Sequence, residues 1–263
     1  FGELGDAVTA GDVNGDGIAD IIAAAEAADG PEGERSNAGE VYVVFGAPDL
    51  RGRVSMAEGE HDLRILGIDP QDALGFSVAS GDVNGDGVDD VIMVAQRAGG
   101  PGNTRDTAGE AYIIFGAADL GGSVDLAAGE QDVIIFGSDA HDLLSFCAAH
   151  DINGDGIDDI ILGTGFGRGP GNARDRAGEA YIIFGSADLG GIIDLSDGSQ
   201  DVVLFGAEAE DRLGSSLASG DLDGDGREEL VVVAAHGDGP ENGRPDAGEI
   251  YVIGPIQVEQ SSR

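Results

Sequence analysis

The sequence predicts an all-β chain, a β-propeller of four four-stranded blades. Three observations predict it. An acidic turn recurs in near-identical form as "GDVNGDGIAD", "GDVNGDGVDD", "HDINGDGIDD" and "GDLDGDGREE", opening at Asp12, Asp82, Asp151 and Asp221, with spacings of 70, 69 and 70 residues. The intervals hold β-rich runs bounded by Gly, Asp and Pro. No stretch of helical length carries a 3.6-residue period. Self-similarity at a fixed period means one supersecondary unit repeated along the chain.

The second copy shows the elements in order. "GFSVASGDV" is a strand of small and apolar residues suited to crowding round an axis. "DVIMVA" follows the acidic turn, "GEAYIIFG" is β-branched and aromatic between glycines, and "QDVIIFG" closes the unit. Four antiparallel strands per repeat, set radially, make a propeller blade. A β-sandwich would not repeat at this period. The expected domain is a single propeller over 1–263, with repeats at about 1–67, 68–137, 138–206 and 207–263. In the third copy "SFCAAHD" is one residue shorter than "GFSVASGD". One residue swaps the faces of a strand, so a bulge is expected to be lost or moved there. Cys147 and His150 lie in that stretch; a small buried thiol and a turn histidine are expected, in preference to a nucleophile pair.

The turns predict a metal loop in each blade. Counting the first Asp as position 1, oxygen-bearing groups fall at positions 1, 3, 5 and 9, with a backbone carbonyl at position 7. The ligand sets are Asp12, Asn14, Asp16, Ile18 and Asp20; Asp82, Asn84, Asp86, Val88 and Asp90; Asp151, Asn153, Asp155, Ile157 and Asp159; and Asp221, Asp223, Asp225, Arg227 and Glu229. Hard oxygen ligands in this number suit Ca2+, about four ions in all, better than Mg2+. Without Cys or His among them, zinc and copper are disfavoured. An EF-hand is excluded: position 12, where it needs a bidentate Glu, is Ala23, Met93, Leu162 and Val232.

Composition narrows the partners. Acids number 51 and bases 13, all Arg, for a net charge of −38. Such a surface argues against nucleic acid and anionic membrane. No apolar run reaches the length of a membrane span. The single Cys147 excludes an intrachain disulfide. No phosphate-cradling Gly loop, G-x-S-x-G or H-E-x-x-H motif is present. No catalytic residues and no cofactor other than Ca2+ are therefore expected; an enzyme with an axial pocket is the remote alternative.

"FGAPDL" at Phe45, "FGAADL" at Phe115 and the D-x-[DN]-x-D-G-x-x-[DE] turns followed by apolar strands resemble FG-GAP repeats. These build the β-propeller head of integrin α subunits. The resemblance implies Ca2+ in the turns and ligand recognition or adhesion outside the cell, at the surface or secreted. Two departures stand against an integrin-like role: four repeats in place of seven, and no inserted adhesion domain. Four blades can close alone, form part of a longer ring, or share a ring with a second chain, so monomer and ring-sharing dimer both remain open. "IQVEQ" at the C-terminus is a candidate substitute outer strand.

The loops between second and third strands lie on the face opposite the turns and carry seven Arg. Arg35, Arg105, Arg174 and Arg244 recur four residues after a Pro. That repetition predicts a structural partner, the Glu ending the same loop or a neighbouring Asp. The non-repeating Arg97, Phe166, Arg168 and His236 are the candidate contacts for a protein or glycan ligand. A structural spacer in a larger surface protein is the alternative function.

Overall fold

The computed structural model describes residues 4–239, 242–254 and 256. The first blade contains β1 (Val8–Gly11), β2 (Asp20–Ala25), β3 (Glu40–Val44) and β4 (Leu63–Leu66). The second repeat gives β5 (Leu74–Gly81), β6 (Asp90–Ala95), β7 (Glu110–Ile114), β8 (Gly122–Asp125) and β9 (Val133–Phe136). The third gives β10 (Phe146–His150), β11 (Asp159–Thr164), β12 (Glu179–Ile183), β13 (Gly191–Asp194) and β14 (Val202–Phe205). The fourth gives β15 (Leu213–Gly220), β16 (Glu229–Ala234) and β17 (Glu249–Ile253). Helix is confined to short 3-10 turns among the described residues, and none is long and apolar enough to cross a membrane.

The chain is thus an all-β array of four propeller blades. Within each blade the strands pair antiparallel in sequence order, β1-β2-β3-β4, β5-β6-β7-β9, β10-β11-β12-β14 and β15-β16-β17. The expected fourth strand of the last blade, "IQVEQ", falls mostly outside the described residues. One feature was not legible in the repeat. β8 leaves its own repeat and pairs parallel with β4, and β13 does the same with β9. Each connector therefore reaches back to edge the preceding blade.

Alternation packs one blade on the next. Ile22, Val43 and Leu63 stand opposite one another on one face of the first blade. They meet Met93, Tyr112 and Ile134 of the second. Ile92, Ile113 and Val133 on the far face of the second meet Leu162, Tyr181 and Ile183 of the third. Ile161, Ala180 and Ile182 then meet Leu230, Val232 and Tyr251 of the fourth. Packing joins the blades in series, first to second, second to third and third to fourth. No comparable strand packing joins the fourth to the first among the described residues.

The shortened third copy behaves as its length predicts. β5–β6 and β15–β16 each shift register, between Leu74 and Ser77 and between Leu213 and Ser216, whereas β10–β11 pairs without a shift. Cys147 packs against Ser77 and the Ile92 carbonyl, and burial pushes its thiol up to about 12. His150 instead faces Glu228, with Nδ1 3.4 Å from Oε2.

Candidate metal centres

Each acidic turn joins the first strand of a blade to the second and closes on its own amides. In the first, the Asp16 N–H reaches Asp12 Oδ1 at 3.0 Å and Asn14 Oδ1 at 2.9 Å. The Gly17 N–H donates to Asp12 Oδ2 at 2.8 Å and the Ile18 N–H to Asp16 Oδ1 at 2.8 Å. Gly15 and Gly17 adopt φ of +70° and +86°, the left-handed bends a tight loop needs. The same bonds recur from Asp82, Asn84 and Asp86, and from Asp151, Asn153 and Asp155. Positions 1, 3 and 5 thereby gather their oxygens on one side.

Position 9 has a further task. Asp20 is fully buried; its Oδ2 accepts from the Val13 N–H at 3.0 Å and its Oδ1 from the Gly46 N–H at 2.7 Å. It ties the turn to the loop after the third strand. Asp90 and Asp159 do likewise with Gly116 and Gly185. Burial pushes both carboxyls up to about 7. A carboxylate offers about four acceptor sites, so each keeps capacity for a cation.

The fourth turn differs in chemistry. Oxygens of Asp221, Asp223 and Asp225 lie within 4.8 Å of one another, the one such acidic or metal-binding cluster among the described residues. Glu229 receives the Leu222 N–H on Oε2 at 2.7 Å, while its Oε1 is buried without a partner. In the sequence, Pro255, which has no amide hydrogen, aligns with Gly46, Gly116 and Gly185. A three-carboxylate cage fits a hard divalent cation.

The four ligand candidates are dispersed. The Arg97 N–H donates to the Asp72 carbonyl at 3.1 Å. The Phe166 ring lies 5.3 Å beneath the Arg212 guanidinium. Arg168 Nη2 bonds the Ala140 carbonyl at 3.1 Å, and His236 Nδ1 meets Asp246 Oδ1 at 3.1 Å. No hydrogen bond, ion pair or ring contact joins any two of them. Of the recurring arginines, Arg35 forks onto Asp125 at 2.6 and 2.7 Å, and Arg105 forks onto Asp194. The partner of these two is thus an Asp in the next repeat's connector, not the Glu ending the same loop, while Arg174 bonds the Gly206 and Ala207 carbonyls. Each forked arginine holds its aspartate below the usual carboxylate range.

The loop-ending Glu has another role, signalled by E-x-Y in every copy. Tyr42, Tyr112, Tyr181 and Tyr251 each donate the phenol to Glu40, Glu110, Glu179 and Glu249. Burial pushes Glu110 up to about 7. In the first blade Arg64 joins this pair through Glu40 at 2.6 and 2.8 Å. It lines an open groove of about 770 Å3 with Tyr42, His61 and Met56.

An array of sheets strung on acidic, oxygen-rich turns defines a propeller-blade repeat protein. The FG-GAP repeat family matches residues 4–44, 74–114, 144–183 and 213–253, and the chain belongs to that family. It is 31% identical to integrin alpha-V of Gallus gallus over 182 residues, 68% of this chain and 15% of the relative. It is 29% identical to phosphatidylinositol-glycan-specific phospholipase D of Bos taurus over 190 residues, 71% of this chain and 21% of the relative. The chain therefore spans about a fifth or less of the length of these curated relatives. A solved rhamnogalacturonan lyase of Bacillus licheniformis aligns with a TM-score of 0.49 and 12% identity, over 86% of this chain and 39% of its own.

Proposed function

We propose that this chain is a Ca2+-stabilised binding module that works outside the cell. The observation that carries the metal reading is the fourth turn, where the oxygens of Asp221, Asp223 and Asp225 converge. The first three turns repeat the same oxygens with Asn at position 3. Asp12, Asn14, Asp16 and Asp20, with the Ile18 carbonyl, would hold the ion there, and their counterparts would do so in the other blades. Ca2+ supplies charge compensation to a chain of net charge −38 and couples its binding energy to folding. Loops without a bidentate twelfth ligand suit extracellular calcium, where affinities of about 10⁻⁴–10⁻³ M suffice.

Recognition is assigned to the face opposite the turns, where Arg97, Phe166 and His236 occupy one register on successive blades. A protein ligand is the first choice, by the likeness to an integrin α subunit. A structural spacer is the second reading, favoured by the dispersal of the candidate contacts. Calorimetric titration with CaCl2 and melting in EDTA test the metal. About four binding events and a lower Tm on chelation are expected; no heat and an unchanged melt would defeat it. A protein and glycan array separates the readings, since a spacer binds nothing.

A further inference from the structure

The seams between blades follow a rule, and the fourth blade obeys half of it. At each of the first two seams the acid at turn position 8 clasps the preceding turn. Asp89 Oδ2 accepts the Asp12 N–H at 2.8 Å while the Asp89 N–H donates to the Asp12 carbonyl at 3.0 Å. Asp158 does the same to Asp82, at 3.0 and 2.9 Å. The clasp needs a glycine just before the turn. A Cβ on Gly11 would lie 2.7 Å from Asp89 Oδ2, and one on Gly81 would lie 2.5 Å from Asp158 Oδ2. Where His150 replaces that glycine, the next acid is the longer Glu228. The second part, at the first two seams, is the Arg fork, Arg35 to Asp125 and Arg105 to Asp194, whereas Arg174 bonds the Gly206 and Ala207 carbonyls. The third is an amide bond: Leu74, Leu144 and Leu213 donate to the Ala38, Ala108 and Ala177 carbonyls at 2.8, 3.0 and 2.8 Å.

The fourth blade keeps every receiving group. Gly220 precedes its turn, Arg244 holds the fork register and Ala247 precedes Gly248. A Cβ on Gly220 would meet nothing nearer than Leu222 Cδ2 at 4.0 Å, and its φ is not positive. Nothing among the described residues explains that glycine. Among the described residues the apolar face beside it is bare. Leu222, Ile250 and Val252 are 59%, 69% and 57% exposed, against 0% for Val13, Val41 and Val43 at the same registers. The first blade keeps Leu4 at the register of the amide bond but lacks the other two reaching groups. Ala19 stands at position 8, and Ser55, without a capping hydrogen bond, holds the N-cap position of the 3-10 turn that Asp125 and Asp194 cap in later repeats. Arg64 stands where those repeats have Ile134 and Val203.

We propose that the bare face of the fourth blade is the seat for a further FG-GAP blade that carries an acid at turn position 8 and an Asp in its connector. The first blade of this chain, in the same molecule or in a second copy, is not that occupant. The test appends a copy of residues 68–137 after Arg263 of the full chain; a control appends residues 1–67. With the second-repeat copy, exchange of the Asp221 amide slows by about tenfold or more, as a newly clasped amide should. The control leaves it unchanged. Gly220→Ala leaves the melting of the parent chain unaltered but abolishes the protection in the longer one. Equal protection by both copies, or protection by neither, overturns the proposal. So does dimerisation of the parent chain that Ile250→Asp blocks, since a second copy would then hold the seat.

Discussion

Asp142 tests how the seams respond to pH. It is buried where the third blade begins, and neither carboxylate oxygen accepts a hydrogen bond. Arg168 Nε stands 3.7 Å away. Desolvation, then the charges of Glu179 and Asp139, push its pKa from 3.8 up to about 7 against the pull of Arg168. The folded state therefore holds this proton more tightly than the unfolded chain. Its contribution is most favourable below the unfolded value and is lost as pH rises through about 7. A gap of about 3 units at 1.36 kcal/mol each gives a penalty of about 4 kcal/mol at pH 8.5, and less than half of that at pH 5. Asp142→Asn removes the charge and with it the pH dependence. Urea unfolding of both proteins from pH 5 to 8.5, at one fixed calcium concentration, reads the difference and cancels the metal sites. The variant's relative stability should grow by about 3 kcal/mol across that range. A difference that stays flat, or shrinks as pH rises, refutes the reasoning.

Three further outcomes follow from the seams and turns. Arg35→Ala and Asp125→Ala should each cost about 2 kcal/mol in chemical denaturation, with a coupling above about 1 kcal/mol in the double-mutant cycle, because the fork is bidentate and shielded; additive losses would place its value elsewhere. Gly39→Ala should cost about 3 kcal/mol or prevent folding, since φ is +86° and the new Cβ would sit 2.1 Å from the Leu74 carbonyl oxygen; a melt within a few degrees of the parent would contradict the packing. Asp223→Asn should weaken calcium at the fourth turn by roughly fivefold by removing one ligand charge; calorimetry with unchanged heats would remove that turn from the metal reading.

The strands and turns were legible because both are local. The β-rich run "DVIMVA" and the spacing of Asp82, Asn84 and Asp86 are set within a few residues. The length of "SFCAAHD" sufficed to predict the lost bulge. What lay hidden depends on residues far apart in sequence. Arg35 meets Asp125 across 90 positions, and β8 pairs with β4 from the next repeat. The position-9 acids looked like ligands alone, yet Asp20 also straps Gly46 across 26 positions. Recurrence of Asp89 and Asp158 against Ala19 was visible in the sequence, but its meaning needed the Asp12 amide beside it.

The turns and the seams share atoms, so a metal bound in the turns would be thermodynamically linked to blade packing. Asp12 offers its carboxylate to the turn and its N–H and carbonyl to Asp89 of the next blade. An ion that orders Asp12 also fixes the groups that Asp89 clasps, and a seated blade orders Asp12 in return. Binding that favours one ordered state favours whatever else needs it, by the same free energy in both directions. The third and fourth turns stand outside this reciprocity: Glu228 faces His150 in place of clasping Asp151, and no described blade clasps Asp221 or Leu222, both exposed. The calcium affinity of the fourth turn should therefore rise when a further blade is seated, while the affinities of the first three turns stay put.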